Sequence, residues 1–129
     1  MKKTPQTFPS FPSHLQLAIA AAQDKKAEDV VVLDLRELSN FFEYFLILTG
    51  NSREHIRALT EHIQEKLEES GIYVDHIEGE DVGRWVLMDY GDLIIHIFDP
   101  KARAYYNLET LWGDAPSWRY EEPDTSTTD

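Results

Sequence analysis

Two short runs constrain this chain more than anything else in it. Val30-Val31-Val32-Leu33-Asp34-Leu35 and Tyr44-Phe45-Leu46-Ile47-Leu48-Thr49 are apolar at nearly every position and do not alternate. A strand with one wet face alternates polar and apolar residues; a strand buried on both faces does not. Both runs therefore need cover on two sides, which a layer of helices on each face of the sheet supplies. The expected architecture is a three-layer α/β domain.

The remaining segments fill in its order. Ser13 and Gln16 have the spacing of a capping box, and Leu15, Ala18, Ile19 and Ala22 then share one helical face. After the second run, Gly50-Asn51-Ser52 ends a strand and opens a helix whose Ile56, Leu59, Ile63 and Leu67 recur at helical spacing, with Gly71 placed as its C-terminal cap. Three further strands are expected over 72–77, 84–88 and 93–98, the last two joined by the hairpin turn Asp89-Tyr90-Gly91-Asp92. Asp99 as N-cap and Pro100 at the first helical position begin a final helix running to about Trp112, ended by Gly113. The order is α-β-β-α-β-β-β-α around a mixed sheet. The boundaries read as a flexible proline-bearing arm over 1–12, a folded domain over 13–113 and an acidic disordered tail over 114–129.

Charge narrows the choice of partner. The chain has 129 residues, with 24 acids against 12 bases, a net charge of −12. A broadly basic nucleic-acid binder is excluded, because phosphate contacts need Lys and Arg. The acidity belongs to the body: residues 61–99 hold eleven acids against Lys66 and Arg84. Such a surface steers a basic protein and repels RNA. No apolar run approaches the roughly 20 residues that span a bilayer, the N-terminal stretch has no signal-peptide h-region, and cysteine is absent. A cytoplasmic, reducing location is the expectation.

Searches for chemistry return little. His55 and His62 lie on one helix face but about 10.5 Å apart by helical rise, too far to share an ion. His76 and Glu78 alternate on a strand, and His96 stands inside an apolar one; no metal or cofactor is expected. Gly50-Asn51-Ser52 could hold a phosphate at a helix start, yet no strand carries the Asp-x-Asp that a metal-dependent nucleotidyl transfer needs. No nucleophile elbow is present, and no catalytic residue is assigned. The aromatics say more. Trp85, Trp112 and Trp118, with Tyr90, Tyr105, Tyr106 and Tyr120, crowd the C-terminal part of the chain, and Tyr105 and Trp112 are expected on one face of the last helix. Large aromatics at strand ends and turns are the commonest interface anchors.

The series Tyr44 to Ser52, Ile77-Glu78-Gly79, Arg84-Trp85-Val86-Leu87-Met88-Asp89-Tyr90-Gly91-Asp92, His96-Ile97-Phe98 and Tyr105-Tyr106-Asn107-Leu108-Glu109-Thr110-Leu111-Trp112 resembles the ribosomal silencing factor family, also called Iojap-like. The resemblance implies a nucleotidyltransferase-like fold without the metal-binding acids. It implies a translational repressor, not an enzyme, that binds the fourteenth protein of the large ribosomal subunit and obstructs joining of the small subunit. It also implies a homodimer when free. Carried over through the Trp…Asp-Tyr-Gly-Asp segment, the partner-binding residues are Trp85, Met88, Tyr90, Asp92 and Leu93, with Tyr105 and Tyr106 added. Glu43 and His55 depart from the family pattern, where Asp and Gln are usual. Two other readings stay open on the residues alone: a homodimeric scaffold, and a residual nucleotide-binding protein.

Overall fold

The computed structural model describes residues 9–120. The elements are α1 (Ser13–Asp24), β1 (Glu28–Asp34), β2 (Tyr44–Thr49), α2 (Arg53–Glu69), β3 (His76–Glu78), β4 (Trp85–Asp89), β5 (Leu93–Phe98), α3 (Pro100–Tyr106), α4 (Leu108–Leu111) and β6 (Ser117–Tyr120). They form one six-stranded mixed sheet in the order β3-β4-β5-β2-β1-β6. Only the central pair β2 and β5 runs parallel, in register from Tyr44 opposite Leu93 to Thr49 opposite Phe98. Every residue of both strands is buried, as the unalternating pattern requires.

Helices cover the two faces unequally. On one face Val30, Val32, Leu46, Leu48, Ile95 and Ile97 meet the apolar stripes of α1 and α2. On the other, Val31, Leu33, Phe45, Ile47, Ile94 and Phe98 meet a thinner layer: Ala102 of α3, Leu108 of α4, and Trp112 and Ala115 beyond it. Successive residues of β1 and β2 serve opposite cores, as the period of two along a strand dictates.

The local signals hold at most helix ends. Ser52 Oγ accepts the backbone N–H of His55 at 3.0 Å, and Asp99 Oδ1 accepts that of Ala102 at 2.7 Å ahead of Pro100. Gly50 has no room for a side chain, since a Cβ would sit 2.6 Å from Ile56 Cγ1. The capping box at Ser13 does not form. Ser13 is already helical, Pro12 takes the cap position, and Gln16 Nε2 instead donates to the Phe11 carbonyl.

Four sequence expectations are corrected. The strand expected over 72–77 shrinks to His76–Glu78, because residues 72–75 have no neighbouring strand to pair with beyond the bond from Asp75 N–H to the Asp89 carbonyl. The last helix breaks at Asn107, whose left-handed φ of 47° turns the chain, so Tyr105 and Trp112 do not share a helix face. That turn brings Glu109 back to Arg103, a buried guanidinium that also donates to Thr49 Oγ1 at 2.9 Å and to the Asp29 carbonyl. Residues 114–120 are not tail: β6 pairs antiparallel with β1, Val30 opposite Tyr120 and Leu33 opposite Ser117. The folded body also begins earlier than Ser13. Phe11 is buried, edge-on to Tyr44 at 5.7 Å and to Trp118 at 5.5 Å. The rest of the expected arm and tail, residues 1–8 and 121–129, lies outside the described residues.

Trp118 closes the α1 side of the sheet edge and is 8% exposed. Replacing a buried Trp with Ala costs about 3–5 kcal/mol. Trp118→Ala is therefore expected to lower the unfolding free energy in urea by that amount; a loss under about 1 kcal/mol would return β6 to the tail.

Candidate functional site

The thin helical layer stops at β5 and leaves β4 bare on that side. Along β4, Val86 and Met88 point into the α1–α2 core, while Trp85, Leu87 and Asp89 are only half-buried on the opposite face. This open strip is bounded by α3 on one side and by the β1–β2 loop on the other.

Aromatic rings run from its exposed rim into the buried core beneath the short helices. Tyr105 meets Tyr106 with centroids 5.0 Å apart, and Tyr106 meets Trp85 at 4.5 Å. Trp85 stacks on Phe98 at 5.0 Å and lies 5.9 Å from His96. His96 contacts Phe45 at 4.5 Å, Phe45 contacts Phe42 at 5.5 Å, and Phe42 leads to Phe41 at 6.5 Å. The two ends of this run, Tyr105 and Phe41, are 80% and 81% exposed. Beside its Tyr105 end opens a cleft of about 670 Å³ lined by Trp85, Tyr105, Tyr106, Val82, Arg84 and Lys101. Along its β3 edge stand carboxylates: His76 Nε2 lies 3.1 Å from Glu78 and Nδ1 lies 3.6 Å from Asp89. An apolar centre with a charged rim is the anatomy of a protein-docking face.

One polar group sits inside the aromatic run. Trp85 Nε1–H donates to His96 Nδ1 at 3.1 Å. The accepting nitrogen must hold the lone pair, so the proton of the neutral ring is on Nε2. Nε2 is buried and has no hydrogen-bond partner among the described residues. Burial pushes the pKa of His96 down to about 3, so the ring is neutral at physiological pH. A buried donor left unpaired costs about 1–3 kcal/mol.

The seven residues expected at the interface divide across the sheet. Trp85, Tyr105 and Tyr106 come together on the open face. Met88 and Leu93 are fully buried beneath α1 and α2, which corrects their placement on a surface. Tyr90 packs half-buried against the same core, and desolvation, with Glu68 adding to it, raises its pKa to about 12. Asp92 is exposed in the hairpin turn but faces α1, with Oδ1 2.9 Å from His14 Nε2. The sequence reading missed Phe41, Phe42, Phe45, Leu87 and His96. The alternation Trp85, Leu87, Asp89 against Val86, Met88 was the available signal for Leu87; the others needed the tertiary fold.

The phosphate reading of Gly50-Asn51-Ser52 meets an occupied site. His55 Nδ1 accepts the Asn51 N–H at 2.9 Å, its Nε2 lies 2.8 Å from the Lys25 carbonyl, and Ser52 Oγ is held by the helix cap. Asn51 Nδ2 donates to Glu28 at 3.3 Å. The N–H groups of Gly50, Asn51 and His55 are thus used within the fold. Among the described residues, no group of three or more His, Asp or Glu is arranged to hold a metal ion. No described helix is long and apolar enough to cross a membrane.

These elements define a small acidic α/β domain with half-buried Trp85 and Leu87 on β4 beside the exposed rings of Tyr105 and Tyr106. Comparison with known proteins gives the family. Residues 9–129 match the family described as "Ribosomal silencing factor during starvation". A ribosomal silencing factor of Bacillus subtilis is 48% identical over 104 residues, 81% of this chain and 88% of that protein. One from Halalkalibacterium halodurans is 46% identical over 107 residues, 83% and 92% of the two chains. A crystal structure of a Chromobacterium violaceum protein superposes with a TM-score of 0.78 at 35% identity, covering 90% of this chain and 98% of that one. The chain belongs to the ribosomal silencing factor family.

His96 gives the domain a measurable pH response. Its folded pKa is near 3 against about 6.5 unfolded, so between those values only the unfolded chain binds the proton. Stability from this residue is full above pH 6.5 and falls on acidification toward pH 3. Going from pH 7 to pH 5 should cost about 2 kcal/mol through His96. Urea unfolding at both pH values should show that loss in the wild type and a drop smaller by about the same amount in His96→Phe; equal drops would mean the buried ring titrates normally.

Proposed function

We propose that this protein represses translation by docking its open aromatic face on the large ribosomal subunit, against the fourteenth ribosomal protein, and so blocking the small subunit. The observation that carries the reading is the cluster of exposed Tyr105 and Tyr106 with half-buried Trp85 and Leu87, beside Glu78 and Asp89 of the β3 edge. Family membership supplies the ribosome as the setting, which makes the cytoplasm the place of action.

The mechanism is exclusion. Subunit joining requires two surfaces to close to near contact, and a folded body about 30 Å across cannot be accommodated between them. No bond is made or broken. Affinity comes from desolvating Trp85, Leu87, Tyr105 and Tyr106 against an apolar patch, and the rim acids Glu78 and Asp89 orient a basic partner. The net charge of −12 steers the encounter.

A second use of the same face is a homodimer of the free protein, favoured by the exposure of Phe41 and Tyr105 in the single chain. Two copies would bring like-charged rims together, so a basic partner displaces the second copy. Dimer and ribosome complex compete for one surface.

Co-sedimentation with separated subunits tests the proposal. The wild type is expected in the pellet with large subunits and not with small ones. Tyr105→Ala removes an exposed ring without touching the core and should weaken binding roughly tenfold, the scale of a hot-spot side chain. Trp85→Ala should weaken it further, with helical circular dichroism retained. Absence of binding to either subunit would overturn the proposal and leave the dimer.

A further inference from the structure

The cleft beside Tyr105 carries a charge opposite to that of the body around it. Val82, Trp85, Tyr105 and Tyr106 give it apolar walls, Arg84 and Lys101 supply two cations, and no acid is among its lining residues. On a chain of net charge −12 this is a local inversion. The loop between β3 and β4 produces it. Gly79 holds a φ of 89°, and a Cβ there would collide with the Trp85 carbonyl, so the loop lies directly against β4. The Gly83 N–H closes it on the Gly79 carbonyl at 2.9 Å. Its acids, Glu80 and Asp81, line a separate cleft against α2, while the exposed Val82 borders this one.

The two cations are not equally free. Arg84 Nε donates to Asp99 Oδ2 at 3.2 Å, which orients the guanidinium and offsets part of its charge. Lys101 is exposed and makes no ion pair among the described residues. At about 670 Å³ the cleft falls in the size range of ligand pockets, roughly 300–1,000 Å³. Its guest must be apolar to cover the rings and negative to face Lys101.

We infer that this cleft receives a protruding segment of the docked protein in which an apolar side chain adjoins a carboxylate. The apolar group lies against Trp85, Tyr105 and Tyr106, and the carboxylate pairs with Lys101 and Arg84. The inference rests on the proposed docking reading and names the partner's chemistry at one point of it. Glu78 and Asp89 along the β3 edge select bases; the cleft selects an acid. The face therefore reads a pattern of both signs, in which a shifted register sets like charges against each other.

The test is Lys101→Glu, measured on purified large subunits and on the isolated fourteenth ribosomal protein. Lys25→Glu, at an exposed lysine that ends α1, makes the same change in net charge and serves as the control. Steering by net charge alone would let both variants bind a basic partner as well as the wild type or better. The inference expects Lys101→Glu to bind both probes roughly tenfold more weakly. Lys25→Glu and Lys101→Arg should bind as the wild type does, all with unchanged circular dichroism. Equal or tighter binding by Lys101→Glu would overturn the inference and leave the docking reading intact. A loss on large subunits but not on the isolated protein would assign the anion to an RNA phosphate. A loss confined to self-association of the free protein would assign the cleft to a second copy; either result overturns the inference. Failure of the wild type to bind large subunits would overturn the docking reading as well.

Discussion

The parallel pairing of β2 with β5 is the constraint on which the rest depends. Two runs of six buried residues, paired from Tyr44 opposite Leu93 to Thr49 opposite Phe98, form the centre of the sheet. Parallel strands cannot be joined by a tight turn, so the chain must leave β2, cross one face and return. That crossing is α2, and it commits the face it covers to a thick core shared with α1. The antiparallel hairpin of β4 and β5 then grows outward from the pair, carrying β3 at its edge. With α1 and α2 on one side, only the short segment after β5 is left to cover the other.

That shortage creates the functional surface. Helix α3 has seven residues and α4 four, and together they shield β1, β2 and β5 but not β4. Arg103 fixes how far the cover reaches. Its guanidinium ties α3 to Thr49 and the Asp29 carbonyl, and holds α4 through Glu109; Arg119 joins the same acids from β6. A buried charge of this kind is tolerated only when fully paired, and pairing it draws both helices toward β1. The strip over β4 stays open as a consequence. The site is thus a region the fold leaves uncovered, and its chemistry is that of the side chains any sheet face presents: rings and a charged rim.

Hydrogen bonding within the fold also bears on the phosphate reading of the turn after β2. The turn after β2 has the glycine and the helix start that a phosphate loop needs, yet His55 consumes the Asn51 N–H and the Lys25 carbonyl, and Glu28 takes the Asn51 amide. Those donors are therefore satisfied by the loop's own neighbours. His55 here serves local packing.

Pattern along the chain by itself determined the layers. Unalternating β-branched runs, a 3.6-residue stripe in α2, the Asp99-Pro100 start of α3 and the glycine turns gave the element order through α3, because each signal is local and its cause is backbone geometry. Family membership was legible in the same residues. Tertiary structure alone decided what faces what. β6 was hidden because Ser-Trp-Arg-Tyr is too short to signal a strand until β1 offers it an edge. The break at Asn107 follows from the Arg103–Glu109 pairing, which spacing does not reveal. Trp85, Met88, Tyr90 and Leu93 look alike as a cluster in sequence; a strand sends successive side chains to opposite sides, and only the unequal helical cover determines which side meets solvent. His96 shows the limit most plainly. A histidine in an apolar strand reads as core, and its role depends on which neighbour takes its lone pair and whether anything takes its proton.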